Sequence, residues 1–172
     1  MNRYVMRDSK QKTKLKLVSV KIDMAVDECP DLSWLGEYSD KPGRLAIDRQ
    51  ERGDMGRSEL RYFNPVWENY EGHPHEKGIE QDYARMEAYS RGDWQMLGVT
   101  AKAVVHRSVS NGAVQVHEFQ SGGLWGIESD CGDYKGEIAD EQLAELQEIL
   151  RDFGVPLRGF KLMAQAAKEH IR

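Results

Sequence analysis

The spacing of apolar and polar positions along this chain changes several times, and each change predicts an element. From Leu15 to Val26 the stretch LKLVSVKIDMAV is rich in β-branched residues over the length of a strand, so a strand opens the domain. From Asp27 to Gly78 no period is sustained and Gly, Pro, Asp and Asn are frequent. That predicts long irregular loops with short pieces of structure, one of them a strand over Leu60–Phe63. Irregular stretches of this length in a domain tend to carry function or to hide short elements.

Ile79, Tyr83, Met86 and Tyr89/Ser90 then recur at helical spacing between Gly78 and Gly92, which predicts an amphipathic helix of about three turns. Trp94–Arg107 reads as a strand, and Asn111-Gly112 as the type I′ turn of a hairpin leading into a second strand over 113–120. A two-residue loop there sets Val109 opposite Val114, His106 opposite His117 and Val104 opposite Phe119. Leu143, Leu146, Ile149, Leu150 and Phe153, preceded by Asp140 and Glu141 and closed by Gly154 and Pro156, predict a helix with an apolar core face. A final helix over Arg158–Ile171 aligns Phe160, Met163, Ala167 and Ile171 on one stripe, with Arg158, Lys161 and Lys168 elsewhere. The expected fold is therefore α+β: an antiparallel sheet with an Asn-Gly hairpin, packed against two or three helices and joined by long irregular loops. Its organisation reads as a flexible basic arm over 1–14, a single domain over 15–155 and a C-terminal helix over 156–172.

Composition supports this picture. With 172 residues, 40% hydrophobic and 31% charged, the chain can bury a core and does not resemble a disordered or fibrous sequence. No run of 18 apolar residues occurs, and Met1–Leu17 is basic and polar, with no apolar segment like that of a secretory leader. A cytoplasmic protein with no membrane partner is expected. Cys29 and Cys131 are far apart and outside any C-x-x-C, so neither a disulfide framework nor a structural zinc site is encoded.

The net charge of −5 conceals an asymmetry. Residues 1–21 carry Arg3, Arg7, Lys10, Lys12, Lys14, Lys16 and Lys21 against Asp8 alone, whereas 118–152 holds ten acids against Lys135 and Arg151. A basic arm suits nucleic acid, through release of phosphate counterions, or can fold back on its own acidic domain. The acidic segment repels nucleic acid and suits a basic protein partner. Within it Glu141, Glu145, Glu148 and Asp152 form one continuous helical line.

Several clusters could carry chemistry. Glu128, Asp130 and Asp133 place three carboxylates in one loop, the oxygen donors that a hard cation takes, although the full calcium-loop pattern is absent and acids before a helix also serve its dipole. His73 with His75, and His106 beside His117, each supply two imidazoles but no third ligand nearby in sequence. Ser121-Gly-Gly-Leu-Trp-Gly126 follows a strand, yet acids rather than a helix N-terminus come next, so the glycines read as a bulge or a close approach of backbone to Trp125. Cys131 lies among acids, which disfavours a reactive thiolate. No cofactor motif is present. Arg44, Arg49, Arg52, Arg57 and Arg61 alternate with Asp48, Glu51, Asp54 and Glu59, a pattern suited to self-pairing or to bidentate phosphate contacts. Trp34, Tyr38, Tyr62, Phe63, Trp67 and Tyr70 share that region, either as core or as binding anchors.

Four segments carry a resemblance: Asp31-Leu-Ser-Trp-Leu-Gly-Glu-Tyr38; Arg61-Tyr-Phe-Asn-Pro65; Glu80-Gln-Asp-Tyr-Ala-Arg-Met-Glu-Ala-Tyr89 with Arg91-Gly-Asp-Trp94; and Ser121-Gly-Gly-Leu-Trp-Gly-Ile-Glu-Ser-Asp130. Over roughly 31–150 the chain resembles a family of small uncharacterised proteins from tailed bacteriophages, prophages and other mobile elements. The resemblance implies a setting and no activity: accessory proteins of that kind act by binding a host or phage protein, components of bacterial defence included. The expected function is thus non-enzymatic binding of a host or phage protein, with Glu128, Asp130, Asp133, Glu141, Glu145, Glu148, Asp152 and Trp125 as contact residues. The alternatives are nucleic-acid binding through Lys10, Lys12, Lys14, Lys16, Arg44, Arg49, Arg52 and Arg57, and a metal-dependent enzyme. Nothing in the sequence specifies an oligomeric state.

Overall fold

The computed structural model describes residues 14–55, 59–66, 76–109 and 112–170. The fold is α+β, with antiparallel sheets and, among the described residues, four helices. In chain order the elements are β1 (Leu15–Val26), β2 (Gly36–Ser39), β3 (Ile47–Asp48), α1 (Arg49–Arg52), β4 (Tyr62–Pro65), α2 (Glu76–Arg91), β5 (Met96–Ser108), β6 (Val114–Gln120), β7 (Leu124–Glu128), α3 (Tyr134–Asp152) and α4 (Phe160–Glu169). Where one domain was expected over 15–155, the chain forms two compact units interleaved in sequence. The first takes the described residues up to Ala25, Gly98–Trp125 and those from Cys131 onward; the second takes Val26–Leu97 and Gly126–Asp130.

In the first unit β5 lies between β1 and β6, and β7 also pairs with β5. Along β5, Ala101, Ala103 and Val105 alternate onto one face and are buried against Leu143, Leu146 and Leu150 of α3, with Val155 and Phe160 completing the core. The helix after Pro156 is therefore no appendage, since Phe160 and Ala167 of α4 are buried and Met163 packs on the same core. Ile171, the end of the expected stripe, lies outside the described residues. α3 begins six residues before the expected Asp140. Ile138 and Gln142 extend its buried face backward, and a polar residue at 142 hides that period from an apolar count.

The hairpin register differs from expectation by one residue. His106 faces Val116, Val105 faces His117 and Val104 faces Glu118. The reason is the length of the connection: Val109 N–H bonds to Ala113 O, which leaves three residues between them, with Gly112 in the left-handed region at φ 81°. Asn111 itself lies outside the described residues. Because side chains alternate, a slip of one residue sends His106 and His117 to opposite faces, so the expected histidine pair does not form.

In the second unit the stretch read as irregular contains a three-stranded antiparallel sheet, β2-β4-β3, with Tyr38 facing Phe63 and Ile47 facing Phe63 from the other side. Strands of two to four residues are too short to show a period. Their core comes from α2, whose Ile79, Tyr83 and Met86 are buried with Leu35, Phe63 and Trp94.

Candidate protein-binding surface

The first unit builds its candidate surface around α3 and the strand break that precedes it. At the end of β6 the ladder to β5 is kept by a side chain: Ser121 N–H bonds to Ala101 O, and Ala101 N–H donates to Ser121 Oγ instead of a carbonyl. The following glycines are held by α3, Gly122 N–H on Glu145 Oε1 at 3.0 Å and Gly123 N–H on Gln142 Oε1 at 2.9 Å. Gly123 has φ +82°, and a Cβ there would meet Thr100 at 2.6 Å. The expected close approach to Trp125 is real, but its chief partner is Gly98 of β5, where a Cβ would sit 2.4 Å from the indole. Trp125 is 52% exposed on that seat.

Glu141, Glu145, Glu148 and Asp152 are all exposed along α3. Two contacts on this helix relieve the crowding of charge: Glu145 receives the Gly122 N–H, and Asp140 pairs with Lys168 of α4 at 2.6 Å. Among the described residues no cation lies within pairing distance of Glu141, Glu148 or Asp152. Asp133 precedes the helix but makes no side-chain cap.

The acidic line ends at Phe153. Its helical spacing predicts a place on the core face, yet it is 66% exposed and meets Phe119 in a T-shaped contact, the ring centroids 5.1 Å apart. Beside it opens a groove of about 580 Å³ between the sheet and the end of α3, lined among others by Leu15, Arg107, His117, Phe119, Ile149 and Phe153. His117 Nε2 is buried there and meets no hydrogen-bond partner among the described residues. Leaving such a nitrogen unmatched costs about 1–3 kcal/mol, so a group that reached it would be favoured. Sequence signals for this groove were weak, because Leu15, His117 and Phe153 come from three separate elements.

Of the other site residues, Arg49, Arg52, Glu128 and Asp130 fall in the second unit and are engaged there. Arg49 is fully buried: its Nε donates to Glu87 at 2.9 Å, its Nη atoms to Leu60 O and Asp54 O, and it stacks 4.2 Å from the Tyr38 ring centroid. Burial first, and the Glu87 carboxylate besides, push the Tyr38 phenol up to about 12, against the opposing hydrogen bond from Ser90. Tyr83, desolvated and bonded to Asp54, is raised as well. Arg52 grips Glu80 at 2.5 and 2.6 Å and lies over Tyr83; Arg61 grips Asp48 at 2.9 Å. Their hydrogen bonds hold the Glu80 and Asp48 carboxyls below the usual range.

Glu128 and Asp130 both accept from Arg85, at 2.9 and 2.6 Å, while Arg85 stacks on Trp94 at 3.8 Å. Two of the three acids read in sequence as a cation loop or a partner contact, Glu128 and Asp130, are thus tied to a helix arginine. Among the described residues no group of three or more His, Cys, Asp or Glu could hold a metal ion. Arg44, Lys14 and Lys16 are exposed, whereas Lys10, Lys12, Arg57, His73, His75, Trp67 and Tyr70 lie outside the described residues. No described helix is long and apolar enough to cross a membrane. No family model, no curated protein and no solved structure matches this chain.

Proposed function

We propose that this protein is a non-enzymatic accessory protein of phage or mobile-element origin that binds a host or phage protein through the acidic face of α3. The carrying observation is the line Glu141, Glu148 and Asp152, exposed and without cations among the described residues, running to an exposed phenyl ring at Phe153. Charge around an aromatic anchor is the composition by which interfaces combine steering with hot-spot burial. Bacterial defence machinery is the class of target that the setting implied by the sequence resemblance suggests, and its inhibition is part of the same proposal. The nucleic-acid alternative draws less support, because Arg49, Arg52 and Arg61 are each taken up by carboxylates of the same unit.

The test is capture from nuclease-treated bacterial lysate by the wild type and by the combined variant Glu141→Gln, Glu148→Gln, Asp152→Asn. The reading expects one or a few proteins retained by the wild type and lost from the variant, with the loss reproduced by Phe153→Ser. Equal capture by all three proteins overturns it.

A further inference from the structure

We infer that the outer edge of β6 is a docking rail for an extended, basic polypeptide segment, which adds as a further strand and seats an apolar side chain in the groove beside Phe153. The inference rests on the reading of the molecule as a protein-binding module and names the mode of recognition.

The argument begins with hydrogen-bond parity. Val109–Ala113 at one end and Ala101–Ser121 at the other are bonded pairs, so in an antiparallel ladder the positions between alternate. Residues 115, 117 and 119 turn their N–H and C=O toward β5. Val114, Val116, Glu118 and Gln120 turn theirs outward, and β6 ends the strand order with no described strand beyond it. An unpaired row of donors and acceptors is a template for one kind of ligand, another extended backbone. Edge strands that avoid such pairing carry charged side chains, lysine above all, proline or a bulge; VQVHEFQ has no lysine, proline or bulge within it, and its charged residue is Glu118. Instead Val114 and Val116 are 52% and 60% exposed.

The side-chain surroundings choose among extended segments. His117 and Phe119 point to the face where the groove lies, with Ile149 and Phe153 across from them and the unmatched His117 Nε2 within. Glu118 and Gln120, whose side chains belong to the opposite face, also line the groove, which carries it round to the open edge. A strand added here would therefore send alternate side chains toward Phe119 and Phe153, and apolar or aromatic ones fit. Arg107 lies at the groove itself, which suits apolar side chains there, whereas on the opposite face the added strand runs beside exposed Glu118, so the side chains turned away from the groove are basic.

The test uses the full chain and a fluorescein-labelled, end-capped heptapeptide of alternating lysine with valine, phenylalanine and valine, read by anisotropy and by amide hydrogen exchange. Saturable binding is expected, with new protection at the amides of Val116, Glu118 and Gln120 and little change at Gln115, His117 and Phe119. Glu118→Pro removes an outward N–H without touching the ladder to β5 and should weaken binding at least tenfold, whereas Glu118→Gln should weaken it less than threefold. Should the proline variant fail to fold, the same peptide N-methylated on the residues that face β6 makes the comparison on the wild type, again with at least a tenfold loss. Absence of binding, uniform protection along β6, or equal binding by the N-methylated peptide overturns the edge. Binding that is insensitive to Glu118→Pro yet abolished by neutralising Glu141, Glu148 and Asp152 also overturns it, and leaves the acidic-face reading intact.

Discussion

Arg49 and Glu87 form an ion pair in which the guanidinium is wholly withdrawn from solvent and the carboxylate nearly so. Arg49 also donates to the backbone carbonyls of Leu60 and Asp54 and stacks on the Tyr38 ring, so the pair organises β2, α1 and α2 of the second unit at once. Removing one member of a buried pair costs about 3–5 kcal/mol, because the other charge stays buried. Arg49→Met should therefore lower the urea stability of the protein by that amount. Arg49→Lys keeps the charge but not the planar fork, and should fall between. A loss below about 1 kcal/mol for Arg49→Met would show that the network is a passenger.

The same network makes an alkaline prediction. A phenol whose folded pKa lies above its unfolded value near 10 supports folding in full below that value, and the support is lost as pH rises through the folded one. Tyr38, pushed up to about 12, and Tyr83, raised as well, both have this sign. The tyrosinate absorbance of these two residues should thus rise in a late stage above about pH 10, and stability should decline between about pH 10 and 12. Tyr38→Phe should remove one residue's absorbance from the late stage. A titration in which all tyrosines ionise together near pH 10 contradicts the burial of these two rings.

Those residues also show where the sequence was legible. Long elements announced themselves: the β-branched run of β1 and the 3.6-residue period of α2 and α3 lie close to where they were expected. The pairing of Arg61 with Asp48 was likewise visible as alternating charge in 44–61. The partners that complete the network were not, since Glu87, Tyr38 and Tyr83 come from elements brought together only by folding. Arg85, which binds Glu128 and Asp130 more than forty residues away, gave no local signal at all. The hairpin register failed for a narrower reason. An Asn-Gly pair fits both a two-residue turn and a longer connection with glycine in the left-handed position, and one extra residue moves every side chain to the other face.

Gly98 and Trp125 offer a direct check on packing. Because a Cβ at 98 would fall 2.4 Å from the ring, Gly98→Ala must expel the indole from its seat on β5. The expected result is a change in the Trp125 indole resonance, assigned with a Trp125→Phe control, and a stability loss of roughly 1–3 kcal/mol from overpacking. An unshifted indole signal in Gly98→Ala would mean that the ring does not lie on the glycine.

The acidic line of α3 separates two kinds of carboxylate. Like charges three and four residues apart each cost roughly 0.2–0.5 kcal/mol, and neutralising Glu141, Glu148 and Asp152 removes four such neighbours, 137 with 141, 141 with 145, 145 with 148 and 148 with 152. Asp152 also faces the negative end of the helix dipole. The triple variant with Gln, Gln and Asn should therefore be more stable by about 1 kcal/mol at low salt, and the gain should shrink in 1 M salt, where screening acts within about 3 Å. Glu145 is different, because its Oε1 receives the Gly122 N–H and helps hold the loop between β6 and β7. Glu145→Gln keeps an acceptor and relieves repulsion, so it should be near neutral, whereas Glu145→Ala loses the bond and should cost about 1–2 kcal/mol. Hydrogen exchange at Gly122 gives the decisive reading. Faster exchange in Glu145→Ala, with none in the triple variant, is the expected pattern; equal exchange in all of them would mean that the carboxylate merely lies near the loop.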